Sequence, residues 1–131
     1  MNTWKLIALP STLLLITLAL RTSGVAEKSS TPAPRVETRC GWFSNPTPGN
    51  AWLNDRDGEW IIGTQGGHQA EGDWPEFKAN QWVRTNGNYG YGCACMNVVV
   101  NHKTSYIMEI KSAKARPLVS CRKDPSLKEP R

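Results

Sequence analysis

His68 stands in a polar, glycine-rich stretch, "GTQGGHQAEGDW" from Gly63 to Trp74, with Glu71 and Asp73 a few residues farther on. An imidazole that gains and loses a proton near neutral pH, beside carboxylates able to orient it or carry a second proton, is the equipment of a small hydrolase or lyase. The same stretch suits a second chemistry. Its four glycines leave backbone N–H groups accessible, while Gln65 and Gln69 offer amide donors and acceptors. Trp60 and Trp74 flank it with ring faces, and rings beside hydrogen-bonding side chains are what glycans and peptides favour. The binding candidates are therefore Trp60, Gln65, His68, Gln69 and Trp74. Catalysis by His68 with Glu71 or Asp73 is the alternative, weakened because a lone loop histidine beside carboxylates is commonly a solvated surface residue.

Other chemistries lack their patterns. Asp55, Asp57 and Glu59 in "NDRDGEW" have the look of a calcium loop, but Leu53 and Thr64 would occupy its first and twelfth ligand positions. Asp57-Gly58 reads instead as turn chemistry. The glycines of "QGGHQ" fit neither a P-loop nor a dinucleotide fingerprint, and no Gly-x-Ser-x-Gly occurs. Cys93 and Cys95 are one residue apart and Cys40 and Cys121 stand alone, a spacing that suits neither structural zinc nor a thioredoxin-like centre. No metal and no cofactor is expected.

The cysteines are better read as staples. In an extended strand Cys93 and Cys95 point to one face with their Cβ atoms too far apart for a mutual disulfide. Cys40 is then tied to one of them and Cys121 to the other, so that both ends of the domain are pinned to one strand; the spacing leaves open which pairs with which. Such cross-links fit an exported protein in an oxidising compartment. The amino terminus agrees: Lys5 precedes an apolar run from Leu6 to Leu20 closed by Arg21, a signal-peptide profile with cleavage after Ala26 or, alternatively, after Gly24. That run is shorter than the roughly 20 apolar residues that span a bilayer, so no permanent membrane anchor is expected.

The expected organisation is thus a signal peptide over 1–26, a flexible lead-in over 27–39 rich in Ser, Thr, Pro and charge, and one small domain over 40–131 ending in a basic tail. Within it "GWF", "AWLN", "QWVRT", "CACMNVVV" and "SYIMEIK" read as strands, the last with Tyr106, Met108 and Ile110 on one face. "SNPTPGN" is expected to be irregular because of its prolines and glycine. Asp57-Gly58 and Asn101 to Thr104 should turn hairpins. The only helical hint is "DWPEFKANQW", with Pro75 at a first helical position. The fold class is mainly β: a small disulfide-stapled antiparallel barrel or sandwich with at most one short helix.

Five tryptophans, Trp42, Trp52, Trp60, Trp74 and Trp82, crowd this domain, more than one small core needs. Residues 40–100 hold three basic against six acidic side chains, whereas 101–131 hold eight against three. Aromatics and basic residues are therefore segregated, which argues against nucleic-acid binding, where they interleave. A basic tail is ordinarily solvated. The expected partner is a glycan, peptide or protein of the cell envelope, met by a periplasmic or secreted module.

Four long stretches, "CGWFSNPTPGNAWLNDRDGEW", "IGTQGGHQAEGDWPEF", "QWVRTNGNYGYGCACM" and "ARPLVSCRKDPSLK", resemble bacterial domain-of-unknown-function family 4087, small exported proteins. The likeness runs from Cys40 to about Pro130. It implies a bacterial source and an envelope location, and it carries over no catalytic or binding residue.

Overall fold

The computed structural model describes residues 33–131. The expected signal peptide and residues 27–32 of the expected lead-in lie outside them. Six strands are formed: β1 Val36–Thr47, β2 Asn50–Asp55, β3 Gly58–Gly63, β4 Trp82–Asn86, β5 Tyr89–Asn101 and β6 Tyr106–Arg116, followed by the single short helix α1, Leu118–Arg122. The sheet runs β1-β2-β3-β6-β5-β4, and β5 also returns to β1. Strands β1, β2, β3, β6 and β5 thus close a barrel, with β4 added along the first residues of β5. All pairings are antiparallel except β3 with β6, which touch in parallel at Ile61↔Tyr106. A three-strand meander closed through one parallel seam is the order of an OB-type Greek-key barrel.

The sheet begins earlier than the sequence suggests. Val36 to Arg39 already pair with Val99 to Met96, because β-branched Val36 and Thr38 continue the alternation of β1 beyond Cys40. The "SNPT" segment is strand rather than irregular loop. A register shift between Ser44 and Thr47 accommodates Pro46, which cannot donate to the ladder. The hairpins form as expected. Asp55 Oδ1 accepts the Asp57 and Gly58 N–H groups at 2.8 and 3.1 Å, and Asn101 Oδ1 accepts those of Lys103 and Thr104.

Alternation along β1 and β5 separates two cores. Arg39, Gly41 and Phe43 face inward, as do Ala94, Met96 and Val98; with Leu53, Trp60, Ile62, Ile107 and Ile110 they build the barrel interior. The outward residues Trp42, Tyr91 and Cys93 gather Cys121, Leu118 and Leu127 into a second cluster outside the barrel. The tryptophans are divided between these cores: Trp42 and Trp60 are buried, Trp74 and Trp82 pack against the interior, and Trp52 is half-buried. Two cores need more large side chains than one.

Three expectations fail locally. Strand β6 does not place Tyr106, Met108 and Ile110 on one face. Its register slips between Val99 and Val100, so Ile107 and Ile110 are both buried and Met108 is 42% exposed. The segment "DWPEFKANQW" is extended apart from a 3₁₀ turn at Ala79–Gln81, because its rings turn individually onto the barrel rather than along one helical face. The helix instead follows Pro117, in the stretch read as tail. That tail is folded down: Cys121 is bonded to Cys93, and Glu129 accepts hydrogen bonds from Tyr91 Oη at 3.1 Å and Arg122 Nη2 at 2.8 Å. Burial, then the Glu129 contact, raises the Tyr91 pKa.

The disulfides are Cys40–Cys95 and Cys93–Cys121. Register decides the pairing. Cys40 lies directly opposite Cys95 with Cα atoms 4.0 Å apart, while the partner position of Cys93 on β1 is taken by Trp42. The glycines beside them are steric necessities. A Cβ on Gly92 would lie 2.4 Å from Phe77 Cε1, and one on Gly90 would lie 1.9 Å from Val83 O.

Candidate functional site

The stretch from Gly63 to Trp74 fills the gap that β3 and β6 leave beyond their single paired position. Ala70 N–H donates to Ile62 O at 2.8 Å and Glu71 N–H to Met108 O at 3.0 Å, and Glu71 O accepts from Ile110 N at 2.7 Å. The loop thereby acts as a short surrogate strand. Gly72 holds φ +98° with its backbone against Ile110 O, where a Cβ would come within 2.2 Å. His68 donates from Nε2 to Ile107 O at 2.8 Å, and its ring stacks on Tyr106 at 4.6 Å. Gln69 Nε2 donates to Gly49 O and Thr64 O. The Gln65 side chain is exposed, and its backbone N–H donates to Asn50 Oδ1. Glu71 and Asp73 are exposed, and no ion pair joins either to His68.

Trp60 lies in the barrel, 6% exposed, with the Arg39 guanidinium 3.7 Å above its ring. Around Arg39 is a network that the sequence reading passed over. Its Nη1 donates to Asp55 Oδ2 at 2.7 Å and Asp57 Oδ2 at 3.1 Å, and its Nη2 to Glu37 Oε2 at 2.6 Å. His102 Nε2 contacts Glu37 Oε1 at 2.6 Å. Asp55 Oδ1 also accepts from Trp60 Nε1 at 3.1 Å. Burial opposes the charge on Arg39, and the hydrogen bonds to Asp55, Glu37 and Asp57 outweigh it and raise its pKa. The His102 bond, against burial and with help from Arg39, holds Glu37 below the ordinary carboxylate range. Arg39 Nε is buried without a partner; the other charged groups pair with one another and close one end of the barrel. The available signal was Glu37, Arg39, Gly41 and Phe43 at alternate positions, the first two in the segment read as lead-in.

The opposite end is closed by rings. Phe43 meets Trp74 at 5.7 Å, Phe77 at 5.7 Å and Trp82 at 6.3 Å between centroids, and Phe77 meets Trp82 at 4.9 Å. Phe43 is buried, whereas Trp74, Phe77 and Trp82 are each half-buried and line a groove of about 630 Å³. Lys78 and Arg84, both exposed, stand on its rim. Strand β4, which carries Trp82 and Arg84, is last in the sheet order, so one backbone edge has no neighbouring strand among the described residues. Of the sequence candidates only Trp74 reaches this groove. Phe77 and Lys78 were missed because their segment carries a helical hint, and Trp82 and Arg84 because the strand reading of "QWVRT" does not show that the strand is an edge.

Fold and geometry together define a small, doubly stapled β-barrel domain with an ionic network at one end and an aromatic groove at the other. The chain belongs to the DUF4087 family, described as proteins of unknown function, whose family model matches residues 34–128. No curated protein and no solved structure matches the chain. Among the described residues no helix is long and apolar enough to cross a membrane.

Proposed function

We propose that this is a non-enzymatic binding module of the bacterial cell envelope that takes an extended peptide, or the extended segment of a protein, along β4 and into the Phe43–Trp74–Phe77–Trp82 groove. The observation that carries the reading is the coincidence of an unpaired strand edge with half-exposed rings beside it. An edge strand supplies main-chain hydrogen bonds to an added strand, and pockets beside it select alternate side chains. Lys78 and Arg84 on the rim favour acidic residues between the apolar ones. Two disulfides support an oxidising, exported setting. The loop residues Gln65, His68 and Gln69 fit this reading best as supports, since His68 bonds to Ile107 O on β6 and Gln69 to Gly49 O in the β1–β2 turn.

The test is titration of the oxidised domain with a blocked octapeptide alternating leucine and glutamate, followed by tryptophan fluorescence and by amide exchange of β4. Binding should protect β4 amides, and Trp82→Ala should weaken it by about thirtyfold or more, as for an interface hot spot. Arg84→Glu should weaken it further for the acidic peptide than for a leucine–serine peptide. A soluble glycan oligomer that binds in place of both peptides would move the reading to carbohydrate. Peptide binding unaffected by Trp82→Ala would place the site elsewhere.

A further inference from the structure

The two disulfides sit in opposite environments. Cys93 and Cys121 are 3% and 2% exposed, enclosed by Trp42, Tyr91, Leu118 and Leu127. Cys40 is exposed and Cys95 half-exposed, and their bond lies on the outer wall of the barrel. On β1 the ladder to β2 begins only at Gly41, so Cys40 has a paired strand on one side and none on the other. On β6 the residue opposite Cys95 is Lys114, which is exposed and shares its face. The neighbouring rung is polar: Thr38 Oγ1 donates to Asn97 Oδ1, and Asn97 Nδ2 to Ser112 Oγ. Among the described residues the apolar cluster of Trp42, Tyr91, Leu118 and Leu127 takes in Cys93 and Cys121 and includes neither Cys40 nor Cys95.

We propose that Cys40–Cys95 is a thiol–disulfide exchange site open to an external dithiol, whereas Cys93–Cys121 is a closed structural bridge. The chemistry follows from access and charge. A thiolate of the dithiol attacks Sγ of Cys40, the more exposed of the two residues; a mixed disulfide forms there, the Cys40–Cys95 bond breaks, and its electron pair leaves on Cys95 Sγ. The departing thiolate belongs to the residue whose cross-strand partner on β6 is Lys114, and a cation on the same face favours a sulfur leaving as the anion. The second thiol of the reagent, as its thiolate, then attacks the reagent's own sulfur in the mixed disulfide and releases Cys40. The two cysteines take up the two protons that the dithiol gives up. The dithiol is oxidised to its disulfide and the pair is reduced by two electrons. Reduction leaves the β1–β5 ladder on both sides of the pair and the second bridge in place, so the thiols stay opposed and the step is reversible.

The test uses the oxidised protein with dithiothreitol as the dithiol, quenched at intervals by alkylation and mapped by mass spectrometry. Cys40 and Cys95 should be alkylated together, at least about tenfold sooner than Cys93 and Cys121. Glutathione, a monothiol, should leave its trapped adduct on Cys40. Lys114→Glu, an exposed change, should slow the first reduction by roughly threefold to tenfold, and Lys128→Glu should not. Equal rates for the two bridges, or earlier loss of Cys93–Cys121, would overturn the proposal. An adduct mainly on Cys95, or no effect of Lys114→Glu, would overturn the assigned direction of attack.

Discussion

Replacing Arg39 with methionine removes the charge at the centre of the ionic end while keeping most of the side-chain length over Trp60. The partner that suffers most is Asp55, whose side chain is 4% exposed beside an arginine that is 9% exposed. Breaking a buried pair by deleting one partner costs about 3–5 kcal/mol, because the remaining charge is left without compensation. Asp55 keeps three donors on Oδ1, the N–H groups of Asp57 and Gly58 and the Trp60 indole. Glu37 keeps His102. These survivors put the loss at the lower end, about 3 kcal/mol, which for a domain near 100 residues lowers Tm by roughly 12–24 °C. Urea unfolding should show the midpoint falling with m unchanged. In a double-mutant cycle with Asp55→Asn, which removes the orphaned charge, the two changes should be non-additive by about 1.5 kcal/mol or more. A loss below about 1 kcal/mol with additive changes would mean that the network behaves as a solvent-exposed one, and the reasoning from burial would be wrong.

Three further outcomes are expected. Gly92→Ala brings a Cβ within 2.4 Å of Phe77 and 2.7 Å of Gln81 O, and should cost about 1–3 kcal/mol in urea unfolding and displace Phe77 from the groove; wild-type stability would show that the segment can step aside. Replacing Cys93 and Cys121 together by alanine opens a 28-residue separation and should cost roughly 3.5 kcal/mol by the chain-entropy estimate, with the tail from Leu118 cut early by trypsin; an unchanged digestion pattern would show that Leu127 and Glu129 hold it alone. The depressed pKa of Glu37 means that its stabilisation is complete above the ordinary glutamate value near 4.3 and is lost as pH falls through the lower folded value, so the stability curves of wild type and Glu37→Gln should separate above that range and converge in acid.

What the sequence disclosed was whatever depends on local spacing. Two cysteines one residue apart share a face, so they could not bond to each other and had to reach outward; the framework was legible, while the choice of Cys95 for Cys40 depended on the β1–β5 register, which adjacent residues do not encode. The Asp57-Gly58 and Asn101–Thr104 turns were legible because Asx side chains cap their own backbone. Alternation failed at Met108, where a bulge turns Ile110 inward beside Ile107, and a second register shift beyond Ile110 restores the alternation. The candidate groove was hidden for a different reason: its rings come from β1, an irregular segment and β4, and only barrel closure brings Phe43 to Trp74, Phe77 and Trp82. A proline followed by Glu, Phe, Lys and Ala looks helical when read alone. Its rings stand at i, i+3 and i+8, a spacing that a helix would also give, yet here they converge on Phe43 from a segment whose regular structure is one 3₁₀ turn.

The two ends of the barrel are closed by different forces, and this bears on which can open. At the ionic end the bonds are directional and the central Arg39–Asp55 pair is buried, so withdrawing either of these groups leaves an unpaired buried charge. At the aromatic end the closure is dispersion and apolar area, which a ligand's own apolar groups can replace at little cost. The chain supports this difference: Trp74 and Phe77 lie on a segment whose regular structure is one 3₁₀ turn, whereas Arg39 and Asp55 lie in paired strands. Segments with few backbone hydrogen bonds open locally at a fraction of the global free energy. Amide exchange of the unliganded domain should therefore be fast across Asp73 to Ala79 and slow across Arg39 to Phe43 and Cys93 to Val98. With the octapeptide bound, protection should rise in β4 and in Asp73 to Ala79 while the ionic end stays unchanged. Equal protection of both ends without ligand would show that the rings hold as firmly as the charges, and the groove would then be a rigid wall to which a ligand must fit as it stands.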